Sequence, residues 1–158
     1  TPCGTLFPYT TLFRSPEVEK MIIELNDKRI CYSYTFKLNV MGNYQRNVAL
    51  QYADGEFVLY LDDDNIIYPD SLQNMVEAFD STEVGYVTAP IRYGDGEMHP
   101  KFPYKFGEVD LLNYMIRRKL VNKLWGQDMH ATADLHMIQK ASSISSGNHI
   151  DELIGHHR

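Results

Sequence analysis

Hydrophobic and polar positions divide the chain into short segments of alternating character. The plainest is 57–61, five apolar residues in an unbroken run that ends on Asp62, Asp63, Asp64 and Asn65. An apolar run of this length, rich in aromatic and branched residues, predicts a strand covered on both faces. Asp54-Gly55 before it and Tyr68-Pro69 after it carry turn chemistry. Around this strand, periodic apolar stripes and helix-start residues predict helices over 16–26, 43–53, 69–79, 107–120 and 131–141. The inward stripes are Val18, Ile22 and Leu25 in the first, and Tyr44, Val48 and Ala49 in the second. Leu72, Met75, Val76 and Phe79 face inward in the third, and Val109, Leu112, Ile116 and Leu120 in the fourth. Further strands are expected at 29–34, 84–89 and 149–154, with a polar connection at 37–42 and a loop at 142–148. The proline-, glycine- and aromatic-rich stretch 92–106 reads as a long surface loop, a place where function concentrates. Strands alternating with helices imply an α/β architecture, a mostly parallel doubly wound sheet flanked by helices.

Composition narrows this picture. With 158 residues, 44% hydrophobic and 23% charged, the chain suits one domain with a real core. Its net charge of -6 gives no basic footprint for nucleic acid, and no apolar stretch approaches a membrane span. Cys3 and Cys31 form no Cys-x-x-Cys pair, so neither a disulfide framework nor a zinc site is expected. A reducing, cytoplasmic setting is the default for such a chain.

Residues 5–15 read Thr-Leu-Phe-Pro-Tyr-Thr-Thr-Leu-Phe-Arg-Ser. This segment resembles the in-frame translation of a short-read sequencing adapter, and is set aside from fold reasoning. The expectation is a non-native, disordered segment at 1–15 followed by a partial catalytic domain at 16–158. A cut at the C-terminus, at Arg158, is also expected.

The carboxyl edge of a parallel sheet is where ligands bind in open α/β folds, and here it carries three aspartates. Adjacent carboxylates repel one another unless a cation or hydrogen-bond donors intervene. Along an extended chain Asp62 and Asp64 point one way and Asp63 the other, so two carboxylates face one hard divalent cation. A calcium loop fails at Ile66 and Ile67, where the fifth ligand and the glycine belong. A phosphotransferase of the haloacid dehalogenase type needs Asp-x-Asp-x-Thr, and Ile66 stands at the threonine position. An Asp-x-Asp motif holding a metal on a diphosphate meets no contradiction.

Asn43-x-x-Arg46-Asn47-x-Ala49-Leu50-x-x-Ala53-x-Gly55-Glu56, then the strand, then Asp62-Asp63-Asp64-Asn65, resembles the family 2 glycosyltransferases of GT-A fold. The resemblance extends from about residue 16 to residue 158. It implies inverting, metal-dependent transfer of a sugar from a nucleotide-diphosphate sugar to an acceptor hydroxyl, with a UDP-sugar as the default donor. It places Asp62 and Asp63 near the donor ribose and diphosphate, and Asp64 as a direct ligand of Mg²⁺ or Mn²⁺. Arg46, matched to the family's Arg-Asn, contacts diphosphate or serves as a salt bridge on a helix face. Family members keep an acidic residue at a helix start after a Trp-containing turn. Asp134, after Trp125-Gly126, fits as general base, ahead of Asp128, although an acid in a first helical turn also suits the helix dipole.

His130, Asp134 and His136 do not share one helix face, which argues against zinc. Of the late pair His156-His157, His156 is taken as the metal-binding histidine with Asp62 and Asp64, against a reading of both as solvated tail residues. Trp125 serves an acceptor sugar or the core. Partners implied are a nucleotide-sugar donor and a saccharide or other hydroxyl acceptor, with no nucleic acid and no membrane span. In the family the elements carrying the nucleotide base pocket precede the helix at 16–26, so activity is expected to be impaired. The competing reading is a non-catalytic nucleotide- or sugar-binding fragment, which would have no need of Asp134.

Overall fold

The computed structural model describes residues 16–28, 30, 43–62, 64–124 and 132–157. Outside them lie residues 1–15 with Cys3 and the adapter-like segment, nearly all of the strand expected at 29–34 with Cys31, and the 37–42 connection. Asp63 and the stretch holding Trp125, Asp128 and His130 lie outside them too. In chain order the elements are α1 (Pro16–Leu25), α2 (Asn43–Tyr52), β1 (Phe57–Val58), β2 (Asn65–Ile67), α3 (Ser71–Glu77), β3 (Val84–Thr88), β4 (Ile91–Tyr93) and β5 (Gly96–Met98). After a 3₁₀ turn at Leu111–Asn113 come β6 (Tyr114–Arg117), α4 (Arg118–Leu124), α5 (Ala133–Ile144), β7 (Ser146–His149) and β8 (Gly155–His157).

Two four-stranded sheets are built from these, in the orders β1-β6-β3-β7 and β2-β8-β4-β5. β3–β7 and β4–β8 pair in parallel, and the remaining pairs are antiparallel. Alternation along the central strands sends side chains to two apolar cores. Tyr86, Tyr114 and Ile116 enter the core that holds Leu50, Leu120, Val121, Met137 and Ile138. Val84, Val87 and Met115 enter the other, with Met75, Ile91, Leu112 and Ile154. The run at 57–60 obeys the same rule. Val58 and Tyr60 pack on the first core, and Phe57 and Leu59 on the second, as a strand covered on both faces must.

Several elements differ from their sequence expectation. The single helix over 107–120 is instead the 3₁₀ turn, β6 and the start of α4. Its stripe satisfied a helical period, but Leu111–Ile116 is also an apolar run interrupted only by Asn113. Position decided: every residue of β6 is buried between β1 and β3. Arg117, which the expected 107–120 helix would have placed in its last turn, is thereby a core residue. Its Nε donates to the Val84 carbonyl at 2.7 Å and its Nη2 to the Ser81 carbonyl at 3.0 Å, while Nη1 meets Glu56. Its guanidinium lies 5.1 Å from the rings of both Phe57 and Phe79.

The stretch 92–106 is not all loop, since its first part forms the β4–β5 hairpin, turned at Gly94 with φ of 57°. The strand expected at 149–154 is replaced by β7 and β8, and the loop at 142–148 by the end of α5 and β7. In α3 only Ser71 and Met75 are fully buried, while Leu72 and Val76 are exposed. In α1, Leu25 is exposed. In α2 the buried side is polar: Asn43, Gln45 and Arg46 are buried with Leu50, while Tyr44, Val48 and Ala49 are half-buried. That polar face lines the site.

Candidate active site

Asp62 continues the phase of Val58 and Tyr60, so it emerges on the side of the sheet that carries α2 and α5. There it meets Arg46 from α2. Arg46 Nη2 donates to Asp62 Oδ1 at 2.6 Å, and Nη1 donates to Asn43 Oδ1 at 3.0 Å. The guanidinium fork, its side chain only 10% exposed, thus joins the start of its own helix to the end of the central strand.

Asp134 stands in the first turn of α5, on this same side of the sheet. Burial pushes its carboxyl up to about 6, against the Arg46 charge, which holds it down; Asp110 and Asp62 add to the rise. The acid near the base candidate and the acid on the central strand therefore share one electrostatic pocket. Tyr114 of β6 fixes this helix start, its hydroxyl donating to the Asp134 main-chain carbonyl at 3.0 Å.

Asp110 was not singled out from sequence, where it read as an ordinary first-turn acid. It caps the 3₁₀ turn: Leu112 N–H donates to Asp110 Oδ1 at 2.8 Å, and Asp110 N–H donates to Asn113 Oδ1 at 2.8 Å. Asn113 is anchored in turn by donating to the Ala89 carbonyl at 2.8 Å. The Asp110-x-x-Asn113 spacing was the available signal, a capping pattern ahead of an apolar run. Burial pushes the Asp110 carboxyl up. The Leu112 amide and His157 hold it down, and Asp62 and Asp64 push it further up.

The late histidines divide by register. β8 pairs with β2 so that His157 stands across from Asn65 and His156 across from Ile66. Facing residues share a side of the sheet, and neighbours along a strand alternate. His157 accordingly joins the acidic side, its Nδ1 3.8 Å from Asp110 Oδ2 and its ring stacked on Tyr93 at 4.6 Å. His156 lies on the other side, level with Ile66 and Arg92.

Among the described residues, no three His, Cys, Asp or Glu side chains converge to metal-binding distance. The donor chemistry still fits a hard divalent cation. The Nδ1 of His157 and both amide atoms of Asn65 are buried without a hydrogen-bond partner, beside the carboxylates of Asp62, Asp64 and Asp110. No helix among the described residues is long and apolar enough to cross a membrane.

The family model for glycosyl transferase family 2 matches residues 14–145. No curated protein matches the chain by sequence. Among solved structures, S. aureus TarS 1-349 in complex with UDP is similar at a TM-score of 0.71 and 18% identity, over 92% of this chain and 48% of that one. The same protein in complex with UDP-GlcNAc is similar at a TM-score of 0.71 and 18% identity, over 92% and 47%. The chain thus spans about half the length of these structures. An α/β fold shared over nine-tenths of the chain, and a family match over most of its length, give one conclusion: the chain belongs to glycosyl transferase family 2 and has a GT-A fold.

Proposed function

We propose inverting transfer of a sugar from a nucleotide-diphosphate sugar, with UDP as the default nucleotide, to an acceptor hydroxyl, with impaired turnover by this chain. The observation that carries this reading is the shared pocket of Arg46, Asp62, Asp110 and Asp134, in which one buried carboxyl is held at about 6. A group of that kind is ionised at neutral pH and poised to take a proton. TarS crystallised with UDP and with UDP-GlcNAc supports the choice of donor.

Each residue has a distinct task. Arg46 positions Asp62, leaving the Asp62–Asp64 edge to face the donor diphosphate. Asp63, by family resemblance, lies near the donor ribose. Asp62, Asp64 and His157 would hold Mg²⁺ or Mn²⁺, with His157 in the place first given to His156. When bound, that ion supplies Lewis-acid neutralisation of the diphosphate. Asp134 accepts the proton of the acceptor hydroxyl as its oxygen attacks the anomeric carbon. The bond from that carbon to the diphosphate breaks, and the diphosphate leaves with the electron pair. Attack from the face opposite the leaving group inverts the anomeric centre.

Calorimetric titration of the chain with UDP-sugars, with and without Mn²⁺, tests the donor side. Binding that strengthens in the presence of Mn²⁺ is expected. Absence of binding by every nucleotide sugar tried, with the ion present, would refute the proposal.

A further inference from the structure

Asp110 presents its two carboxylate oxygens to different partners. Oδ1 accepts from the Leu112 N–H at 2.8 Å, and Asn113 closes the turn by accepting from the Asp110 N–H. Asn113 is itself fully buried and donates to the Ala89 carbonyl. The carboxyl group is thus held by its own turn, with Oδ2 3.8 Å from His157 Nδ1. The His157 ring is held in plane by Tyr93, stacked 4.6 Å away and 7° from parallel. Its Nδ1 is buried without a hydrogen-bond partner. We propose that Asp110 is the positioning residue of His157: its Oδ2 accepts the Nδ1 proton, which leaves the lone pair on Nε2 for the divalent cation. The proposal rests on the metal part of the transfer reading above and gives a task to a residue outside the ligand set.

The chemistry of the two partners selects this arrangement. A neutral imidazole carries one N–H and one lone pair, and the group beside one nitrogen decides which is which. An ionised carboxylate only accepts, so a nitrogen that faces it keeps the proton. Asn65 stands across from His157 in the β2–β8 ladder, but an amide can donate or accept and so sets neither tautomer. Closing the 3.8 Å gap by about 1 Å makes a charge-assisted hydrogen bond. The Asp110 and His157 side chains are only 16% and 22% exposed, which raises the cost of leaving Nδ1 unpaired and strengthens the bond once made. Outer partners of this kind fix the ring and raise its basicity, so their loss weakens an ion that the ring holds.

Two measurements on the whole chain test this. The first is the tautomer of His157 without metal, read by long-range ¹H–¹⁵N NMR at about pH 8, above the ordinary histidine range. Comparison with His157→Ala identifies its signals. The second is calorimetric titration with Mn²⁺. The unmodified chain should carry the proton on Nδ1. Asp110→Asn keeps an oxygen for the Leu112 amide and turns the other position into a donor, so the proton should move to Nε2. Mn²⁺ affinity should then fall about tenfold, as far as in His157→Ala. In a His157→Ala background, Asp110→Asn should change the affinity by less than about twofold. A role confined to capping the turn would lower stability and leave the tautomer as it was. A proton on Nε2 in the unmodified chain, or an unchanged tautomer in Asp110→Asn, would overturn the proposal. So would an undiminished loss of affinity in the His157→Ala background, which would make Asp110 a ligand or a charge acting in its own right. No Mn²⁺ binding by the unmodified chain would instead refute the metal reading, and the tautomer would still decide whether Asp110 sets His157.

Discussion

Asp134 is held in the fold at a protonation point near 6, against 3.8 in a free chain. Folding therefore costs more as pH rises from about 4 through about 6, because the unfolded chain ionises this group first. Two outcomes follow at the scale of this residue. The acidic limb of a kcat/KM profile for transfer should lie near 6, and a limb near 4 would contradict the role of Asp134. Asp134→Asn should also raise stability above pH 6 by on the order of 2 kcal/mol, read from denaturant midpoints. The histidines make an equally sharp contrast. His157→Ala should weaken Mn²⁺ binding roughly tenfold, whereas His156→Ala should leave it within about twofold. Calorimetric titration of the ion measures both, and the reverse order would return the metal role to His156.

At the scale of elements, β6 is the centre of the molecule. It pairs with both β1 and β3, carries Tyr114 toward α5, and ends on Arg117, which ties three segments together. Arg117→Ala would leave the buried Val84 carbonyl and the part-buried Ser81 carbonyl without this donor and remove the cation beside the Phe57–Phe79 ring pair. A loss of about 3 kcal/mol is expected from urea unfolding. An unchanged midpoint would contradict this account of the core.

The same strand explains what could be read in advance. The run at 57–61 announced itself by an unbroken apolar stretch ending in carboxylates, and α5 by its period. β6 did not, because Leu112, Ile116 and Leu120 repeat as a helix would, and only its neighbours make it a strand. Arg46 and Asp134 were visible because they stand in motifs. Asp110 was hidden because a capping acid and a site acid look alike until the sheet brings His157 beside one of them. The choice between His156 and His157 likewise depended on register, which a chain of single residues does not declare. α2 was misread for the opposite reason: its polar face is buried because a site, not solvent, lies against it.

At the scale of the whole molecule, the β2-β8-β4-β5 sheet brings the chain's end back to the acidic edge, and β6 with α5 bring Asp110 and Asp134 to it. The two sheets thus contribute opposite walls of one acidic site in a chain of net charge -6. An anionic donor enters such a site against repulsion, which is the physical reason a divalent cation belongs in the account. The central claim is that this site moves a proton during sugar transfer and is more than a binding surface. The direct measurement is transfer from a UDP-sugar, with Mn²⁺ present, by a version extended to the length of its structural neighbours and by the Asp134→Asn variant of that version, with UDP affinity determined alongside. Transfer should fall by about three orders of magnitude while UDP affinity stays unchanged, the pattern expected when only the general base is lost. Undiminished transfer by Asp134→Asn would contradict it.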